Sequence, residues 1–303
     1  MILRERDPLT FKTGYQFDQI HQTQKLEFRE NRTMAQFSGK VAVVTGSTQG
    51  LGLAVASLLA ERGAAGLVLC GRNQTKGEAN AKDLATRFST KVIFVRANLG
   101  DVADCRRVIA EADRAFGRID VLVNCAADTR RGTIINTSPE LFDELFAVNV
   151  RGPFFLMQEA IKIMLREKIE GAIVNIGSMS AKAGQPFLTA YSMTKGALQT
   201  LTENVAFAAL KNRIRVNALN IGWMETEGEH AIQKSDGSPP DWLEKAAPNM
   251  PFGRLVDPKE VARAVAFLAS DESGLMTGSV VQFDQSIWGA YEGAPSPSKL
   301  LSL

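Results

Sequence analysis

Three side chains in the middle of the chain, Ser178, Tyr191 and Lys195, have the types and spacing of an acid–base set. Tyr191 and Lys195 are four residues apart, so on a helix they share one face. A lysine ammonium there would stabilise the phenolate, whose parent phenol has an unperturbed pKa of about 10. Such a phenol can exchange a proton with a substrate oxygen, which the Ser178 hydroxyl can hold by a hydrogen bond.

A glycine-rich turn lies upstream of this set and follows an apolar stretch. Its sequence is Thr45-Gly46-Ser47-Thr48-Gln49-Gly50-Leu51-Gly52. Glycine permits positive φ and lets backbone N–H groups approach a pyrophosphate at the positive end of a helix. The spacing is G-x-x-x-G-x-G, which differs from the general G-x-G-x-x-G fingerprint. The turn predicts dinucleotide contacts from Gly46, Thr48, Gln49, Gly50, Leu51 and Gly52, and with the acid–base set it indicates hydride transfer.

The elements that must position these residues alternate between strands and helices from Gly39 onward. The predicted strands are 40–45, 67–70, 92–97, 119–124, 172–176, 214–219 and 279–283. The predicted helices are 51–62, 73–88, 102–116, 139–168 with a bend near Gly152-Pro153, 190–210 and 258–269. Strands this apolar are typical of a parallel sheet that is buried on both faces. The sequence therefore predicts an α/β fold: a single doubly wound, Rossmann-type parallel sheet of about seven strands with helices on both faces.

The chain is predicted to contain one catalytic domain. No repeat or linker interrupts residues 34–288, which would form the dinucleotide-binding catalytic domain. Residues 1–33 mix charges of both signs and predict a poorly packed extension, and residues 289–303 form a C-terminal tail. Residues 223–251 make an irregular stretch rich in glycine and proline, of the length that often serves as a lid.

Composition excludes several other classes of protein. A net charge of +2 provides no basic surface for nucleic acid. Neither histidine lies near Ser178 in the sequence, so a Ser-His-Asp hydrolase is not expected. The three widely spaced cysteines indicate a reducing compartment and no metal site. Neither a membrane span nor a secretory signal is recognisable, so a cytoplasmic location is expected.

Further motifs carry a resemblance to a known family. They are the segment Ile119-Asp120-Val121-Leu122-Val123-Asn124-Cys125-Ala126-Ala127, Asn149 within Val148-Asn149-Val150, and Gly177-Ser178 ahead of Tyr191 and Lys195. With the glycine turn they occur in an order and spacing that resemble the short-chain dehydrogenase/reductase family, over Gly39 to about Asp284. The resemblance implies hydride transfer between a nicotinamide and an alcohol or carbonyl substrate.

The resemblance also implies roles for single residues. Tyr191 would be the catalytic acid–base, and Lys195 would lower its pKa and hold the nicotinamide ribose. Ser178 would orient the substrate carbonyl, and Asn149 would help to hold a water in a proton relay. Further cofactor contacts implied by position are Asn98, Leu99, Asn124, Ala126, Gly222 and Thr226, with Asn98 standing where the family usually has aspartate. The resemblance implies a homo-oligomer, a tetramer or dimer, that pairs through the helices 139–168 and 190–210.

The preferred cofactor is expected to be NADP(H), with NAD(H) as the alternative. An acidic residue that would bind the ribose 2′-hydroxyl of NAD is expected at the end of the second strand. The chain has Gly71-Arg72-Asn73 there, and the planar guanidinium of Arg72 suits a 2′-phosphate.

The sequence leaves several substrate classes open. Trp223 and Met224, with the acidic residues of the lid, suit a sugar, polyol or other small polar alcohol. Arg130, after the fourth strand, could instead receive an anionic group, which favours a 3-oxoacyl-thioester reductase acting on an acyl carrier protein. A third alternative is a sensor or scaffold that binds NADP(H) without turnover.

Overall fold

The computed structural model describes residues 36–182 and 184–287 of the 303-residue chain. The predicted N-terminal extension, 1–33, and the predicted tail, 289–303, lie outside the described residues.

Seven strands form one sheet in the order β3-β2-β1-β4-β5-β6-β7, and every neighbouring pair is parallel. Their bounds are β1 Val41–Thr45, β2 Gly66–Gly71, β3 Lys91–Arg96, β4 Val121–Asn124, β5 Ala172–Ser178, β6 Arg215–Ile221 and β7 Val280–Phe283. The inner strands are buried almost throughout, as their continuous apolar sequences predict. The predicted fold class is confirmed.

Helices cover both faces of this sheet. Their bounds are α1 Gly50–Glu61, α2 Gln74–Phe88, α3 Val102–Phe116, α4 Pro139–Phe146, α5 Gly152–Arg166, α6 Thr189–Ala209, α7 Glu227–Ser235, α8 Trp242–Ala246 and α9 Pro258–Ala269. One hydrophobic core lies between the sheet and α1, α2 and α9. The other lies between the sheet and α3, α5 and α6.

The strand order reverses between β1 and β4, and this reversal places the site. The chain leaves β1 towards one edge of the sheet and leaves β4 towards the other. The loops at the carboxyl ends of these two strands therefore separate and open a crevice, which is where ligands bind in such sheets.

The predicted long helix over 139–168 is broken earlier than expected. Between α4 and α5 the residues Ala147–Arg151 form a π-helical turn, in which the Gly152 N–H donates to the Ala147 carbonyl. Pro153 has no N–H to donate to the Asn149 carbonyl, the acceptor that a continuous α-helix would use. The break therefore centres on Asn149, and Pro153 lies in the first turn of α5, where proline is tolerated.

The predicted irregular course of residues 223–251 is wrong for two stretches, which form α7 and α8. Thr226 begins α7 by accepting a hydrogen bond from the Glu229 N–H at 3.1 Å. Trp242 of α8 is buried and stacks on Trp223, with ring centroids 5.7 Å apart. A lid role for this segment stays a prediction.

None of the helices described here is long and apolar enough to cross a bilayer.

Candidate active site

A large cleft lies along the carboxyl edge of the sheet, with a volume of about 3400 Å³. It is lined by the glycine turn, by the loops after β2, β3 and β4, by the start of α6 and by the segment that leads into α7. Predicted site residues that line it are Gly46, Thr48, Gln49, Gly50, Leu51, Gly52, Arg72, Asn98, Leu99, Ala126, Arg130, Ser178, Tyr191, Lys195, Gly222, Trp223, Met224 and Thr226. Asn124 and Asn149 are not among the lining residues.

The glycine turn is shaped to admit a backbone-bound ligand. Gly46 and Gly50 have φ angles of +64° and +55°. A Cβ on Gly52 would lie 2.4 Å from the Gly46 carbonyl oxygen, and one on Gly46 would lie 2.8 Å from Cα of Ala126. A side chain at either position would displace the backbone, so the turn keeps its N–H groups open at the start of α1. These residues fit the pyrophosphate of a dinucleotide.

Two hydroxyl side chains hold this turn against its neighbours, and sequence reasoning did not single them out. The Thr45 hydroxyl accepts hydrogen bonds from the N–H groups of Cys125 at 2.9 Å and Ala126 at 3.0 Å. The Ser47 hydroxyl donates to the Val44 carbonyl at 2.8 Å and accepts from the Cys70 N–H at 3.0 Å. The signal was present, because both hydroxyls lie at the end of an apolar strand within the turn motif.

The predicted acid–base residues come together at the centre of the cleft. Tyr191 lies in the first turn of α6, and its phenol lies close to the Ser178 hydroxyl at the end of β5. Lys195 lies one turn further on, with its Nζ 5.6 Å from the centroid of the Tyr191 ring. Its ammonium is buried and donates to the Ile176 carbonyl at 2.8 Å. Ser178 also exchanges a hydrogen bond with Ser180, with the two oxygens 2.7 Å apart.

Burial controls the protonation of this group. It raises the pKa of Tyr191 to about 12, a rise that the neighbouring Ser178 hydroxyl opposes and the negative charge of Glu229 assists. Burial also lowers the pKa of Lys195 from 10.5 to about 8. The phenol therefore carries its proton at neutral pH and can donate it. That Lys195 lowers the pKa of Tyr191 stays a prediction for the cofactor-bound site.

Asn149 connects three elements behind the cleft. Its side chain accepts from the Asp128 N–H at 2.8 Å and donates to the Asp128 carbonyl at 2.8 Å. It also donates to the Thr194 hydroxyl at 3.2 Å, next to Lys195 on α6. The loop after β4, the π-helical turn and α6 are thus held in one register by a single buried amide.

Asn124 is turned into the core. Its amide donates to the Asn175 side chain at 2.8 Å, and Asn175 in turn donates to Thr202 on α6 at 2.9 Å. Side chains alternate between the two faces of a strand, which directs that of Asn124 under α6, away from the cleft. A cofactor contact at Asn124 stays a prediction, and its side chain is directed away from the cleft.

The far end of the cleft carries the residues predicted to bind the adenosine part. Arg72 is exposed directly after β2. The Asn98 side-chain oxygen accepts from the Gly100 N–H at 3.2 Å, and one lone pair remains for a ligand. Leu99, the next residue, is buried.

At the opposite end lie the predicted substrate residues. Trp223 and Met224 line the cleft, and a side chain at Gly222 would require the Asp284 carboxylate to move. Arg130 forms ion pairs with Asp128 and Glu144, which raise the pKa of its guanidinium further. Its charge is therefore already matched by two carboxylates.

Within the described residues no group of three or more His, Cys, Asp and Glu side chains could hold a metal ion. Burial raises the pKa of the Cys125 thiol beside the cleft to about 12, so this thiol is protonated at neutral pH.

Comparison with known proteins agrees with this geometry. A family model described as Enoyl-(Acyl carrier protein) reductase matches residues 46–285. An uncharacterized oxidoreductase of Thermotoga maritima is 37% identical over 249 residues, which cover 82% of this chain and 97% of the relative.

Two solved structures are similar as well. A short chain dehydrogenase/reductase family protein is 34% identical with a TM-score of 0.71, covering 82% of this chain and 97% of its own. A 3-oxoacyl (acyl-carrier-protein) reductase from Agrobacterium tumefaciens C58 with NADP bound is 26% identical with a TM-score of 0.76, covering 85% and 97%. The resemblance predicted from the sequence is confirmed: the chain belongs to the short-chain dehydrogenase/reductase family and is an oxidoreductase of that family.

Proposed function

We propose that the protein is an NADP(H)-dependent oxidoreductase that transfers a hydride between the nicotinamide and an alcohol or carbonyl substrate. The observation that carries this proposal is the placement of the Tyr191 phenol, which lies beside Ser178 and one helical turn from Lys195, in the same cleft as the glycine turn.

The side chains supply the proton chemistry of such a reaction. The bound nicotinamide supplies the hydride that reduces a carbonyl carbon, or accepts the one that an alcohol releases. Tyr191 donates the proton to the carbonyl oxygen, and Ser178 holds that oxygen by a second hydrogen bond. Lys195 binds the nicotinamide ribose and stabilises the phenolate left behind, while Asn149 positions the relay that returns the proton. The same groups serve the reverse direction.

The cofactor preference is proposed from the end of β2. Arg72 offers a guanidinium at the place where a carboxylate would select the 2′-hydroxyl of NAD. The similar 3-oxoacyl (acyl-carrier-protein) reductase structure contains NADP, which supports the same choice.

A small polar alcohol or the corresponding carbonyl compound is the substrate class we favour. The alternative, a 3-oxoacyl thioester on an acyl carrier protein, draws support from that same similar structure. It would use basic residues at the cleft mouth to receive an anionic partner. Both candidates for this task are engaged: Arg130 with Asp128 and Glu144, and Arg131 with Glu229 and Asp236. This pairing disfavours an anionic substrate.

A substrate panel tests the proposal. Purified protein is assayed with NADPH and NADH on ketoses, small ketones and acetoacetyl thioester, and with both oxidised cofactors on sugars and polyols. We expect turnover with NADPH and its loss in Tyr191→Phe, which keeps the ring but removes the proton. Tight NADPH binding by a wild-type protein that turns over nothing would instead identify a sensor.

A further inference from the structure

Glu229 places a carboxylate at the substrate end of the cleft, where the acid–base reaction of Tyr191 and Ser178 assigns it no role. It lies in the first turn of α7, three residues after Thr226, and lines the same cleft as Tyr191. Its side chain is only 15% exposed. A carboxylate this buried requires hydrogen-bond donors around it.

The donors present are all directed at one of its two oxygens. Oε1 accepts from Gln233 Nε2 at 2.7 Å, Trp223 Nε1 at 2.9 Å and Arg131 Nη2 at 3.2 Å. The Gln233 amide is fixed in this orientation, because its oxygen accepts from the Ser238 hydroxyl at 2.7 Å. Oε2 accepts no hydrogen bond from the part of the chain that the structure describes. The carboxylate is thus held in place through Oε1, while Oε2 can accept a hydrogen bond from a ligand.

The local charge favours a neutral donor as the ligand of that oxygen. Arg131 is shared between Glu229 and Asp236, which lie 3.2 Å and 2.8 Å from it, so the three side chains together carry one negative charge. A carboxylate or phosphate on the substrate would be repelled. A hydroxyl group would make a charge-assisted hydrogen bond, which is about twice as strong as one between neutral groups.

The position of Glu229 relative to the reaction centre supports a contact close to the reacting carbon. Ser178 pairs with Ile221 across β5 and β6, and Trp223, whose indole donates to Glu229, follows two residues after Ile221 and lines the same cleft. Trp223 and Met224 provide apolar surface for the rest of a substrate.

We propose that Oε2 of Glu229 accepts a hydrogen bond from a hydroxyl on the carbon next to the reacting carbonyl, so that the preferred substrates are neutral α-hydroxy ketones and the matching vicinal diols. This inference rests on the proposed function and specifies its substrate class. In reduction, the carbonyl carbon gains the hydride of NADPH and the carbonyl oxygen gains the Tyr191 proton. The neighbouring hydroxyl is bound but unchanged, and the products are a diol and NADP+.

The test compares two ketones of nearly equal size, 2-hydroxyacetophenone and propiophenone, with NADPH. The hydroxyl of the first is a methyl group in the second, while the phenyl group is common to both. The measure is the ratio of their kcat/KM values in each variant, since their difference in intrinsic reactivity is the same for all variants. We expect Glu229→Gln to lower this ratio roughly tenfold, because it removes a hydrogen bond to a charged acceptor.

The matched control is Glu227→Gln, which removes the same charge from the same helical turn. Glu227 faces Lys76 on the surface and does not line the cleft, so its variant should keep the wild-type ratio. Glu229→Asp keeps the charge but withdraws the oxygens by one methylene, and it should also lower the ratio. Thermal unfolding and NADPH affinity verify that the variants fold.

The outcomes separate this inference from the proposed function. If both ketones are reduced and Glu229→Gln leaves their ratio unchanged, or slows both equally, Glu229 only supports α7 and the inference fails while the proposed function stands. If wild type prefers 2-aminoacetophenone to 2-hydroxyacetophenone, the proposal that Oε2 of Glu229 binds a neutral hydroxyl group is wrong. If wild type reduces no carbonyl compound, both proposals fail together.

Discussion

Asn149 is the residue whose removal tests most directly how the site is held together. Substitution by alanine removes its two hydrogen bonds to the Asp128 backbone and its bond to the Thr194 hydroxyl. The Asp128 N–H and carbonyl lose the partners that fix the loop after β4. Because each lost hydrogen bond costs about 1 kcal/mol, the three together should lower the free energy of unfolding by roughly 3 kcal/mol.

Thermal and urea unfolding measure this change. For a chain of this size, a loss of that order should lower Tm by roughly 6–12 °C. The matched control is Thr194→Val, which keeps the shape of the side chain and leaves the Asn149–Asp128 hydrogen bonds intact. It removes the Asn149 contact and the bond to the Tyr191 carbonyl within α6. It should therefore cost less than Asn149→Ala.

A catalytic readout distinguishes positioning from bulk stability. At a temperature where both variants are folded, Asn149→Ala should reduce kcat more than Thr194→Val, since it frees the loop after β4 as well as α6. An Asn149→Ala protein whose free energy of unfolding lies within about 1 kcal/mol of wild type would refute the reasoning, because the three hydrogen bonds together would then contribute no more than one is expected to.

Three further predictions follow from charge and exposure. Arg72→Asp should lower kcat/KM for NADPH at least tenfold and raise it for NADH; a variant that still prefers NADPH would refute the role of Arg72. Folding lowers the pKa of Lys195 from 10.5 to about 8. Between these pH values the unfolded chain binds more protons than the folded one, so the free energy of unfolding increases as the pH rises. Urea unfolding at several pH values should therefore show wild type gaining about 3 kcal/mol relative to Lys195→Met between pH 8 and 10.5, and parallel curves would contradict the burial of the ammonium. Phe207 on α6 is 79% exposed, and we propose that α5 and α6 pair two subunits, so Phe207→Asp should reduce the mass measured by light scattering; a monomeric wild type would exclude this pairing.

The fold could be predicted because its signals are local. Each strand is a short apolar run, each turn carries glycine or a capping residue, and Asn73, Asp101, Ser138 and Asp257 begin their helices as N-caps. The errors arose where a local signal had two readings. Pro153 predicted a break in the helix near Gly152-Pro153. The break lies at Asn149 instead, because Pro153 has no N–H to donate to the Asn149 carbonyl. The glycines and prolines of residues 223–251 predicted an irregular course, whereas the helices α7 and α8 form there.

The structure brings the predicted acid–base residues together in one cleft, whereas the pairing of Glu229 with Arg131 was not predicted, and one physical reason explains both. Tyr191 and Lys195 are close in sequence, so helical periodicity alone places them together. Glu229 and Arg131 are 98 residues apart, and neither helix periodicity nor strand periodicity connects them. The sequence therefore suggested a free basic charge at Arg130, whereas Arg130 and Arg131 are each engaged by two carboxylates.

The protonation states of Tyr191 and Lys195 could not be predicted from the residue types alone. A tyrosine beside a lysine suggests a lowered phenol pKa, yet the structure raises that pKa to about 12 and lowers that of Lys195 to about 8. Both shifts have the same cause, since burial penalises whichever form is charged. Moving a proton from Tyr191 to Lys195 is therefore unfavourable in the cofactor-free protein, and the phenol keeps its proton. An anionic dinucleotide beside Lys195 would favour the ammonium, and the ammonium would in turn favour the phenolate. At neutral pH most Lys195 side chains already carry their proton, because a pKa of about 8 lies above that pH, so the phenol is expected to give up its proton only as the carbonyl oxygen gains negative charge.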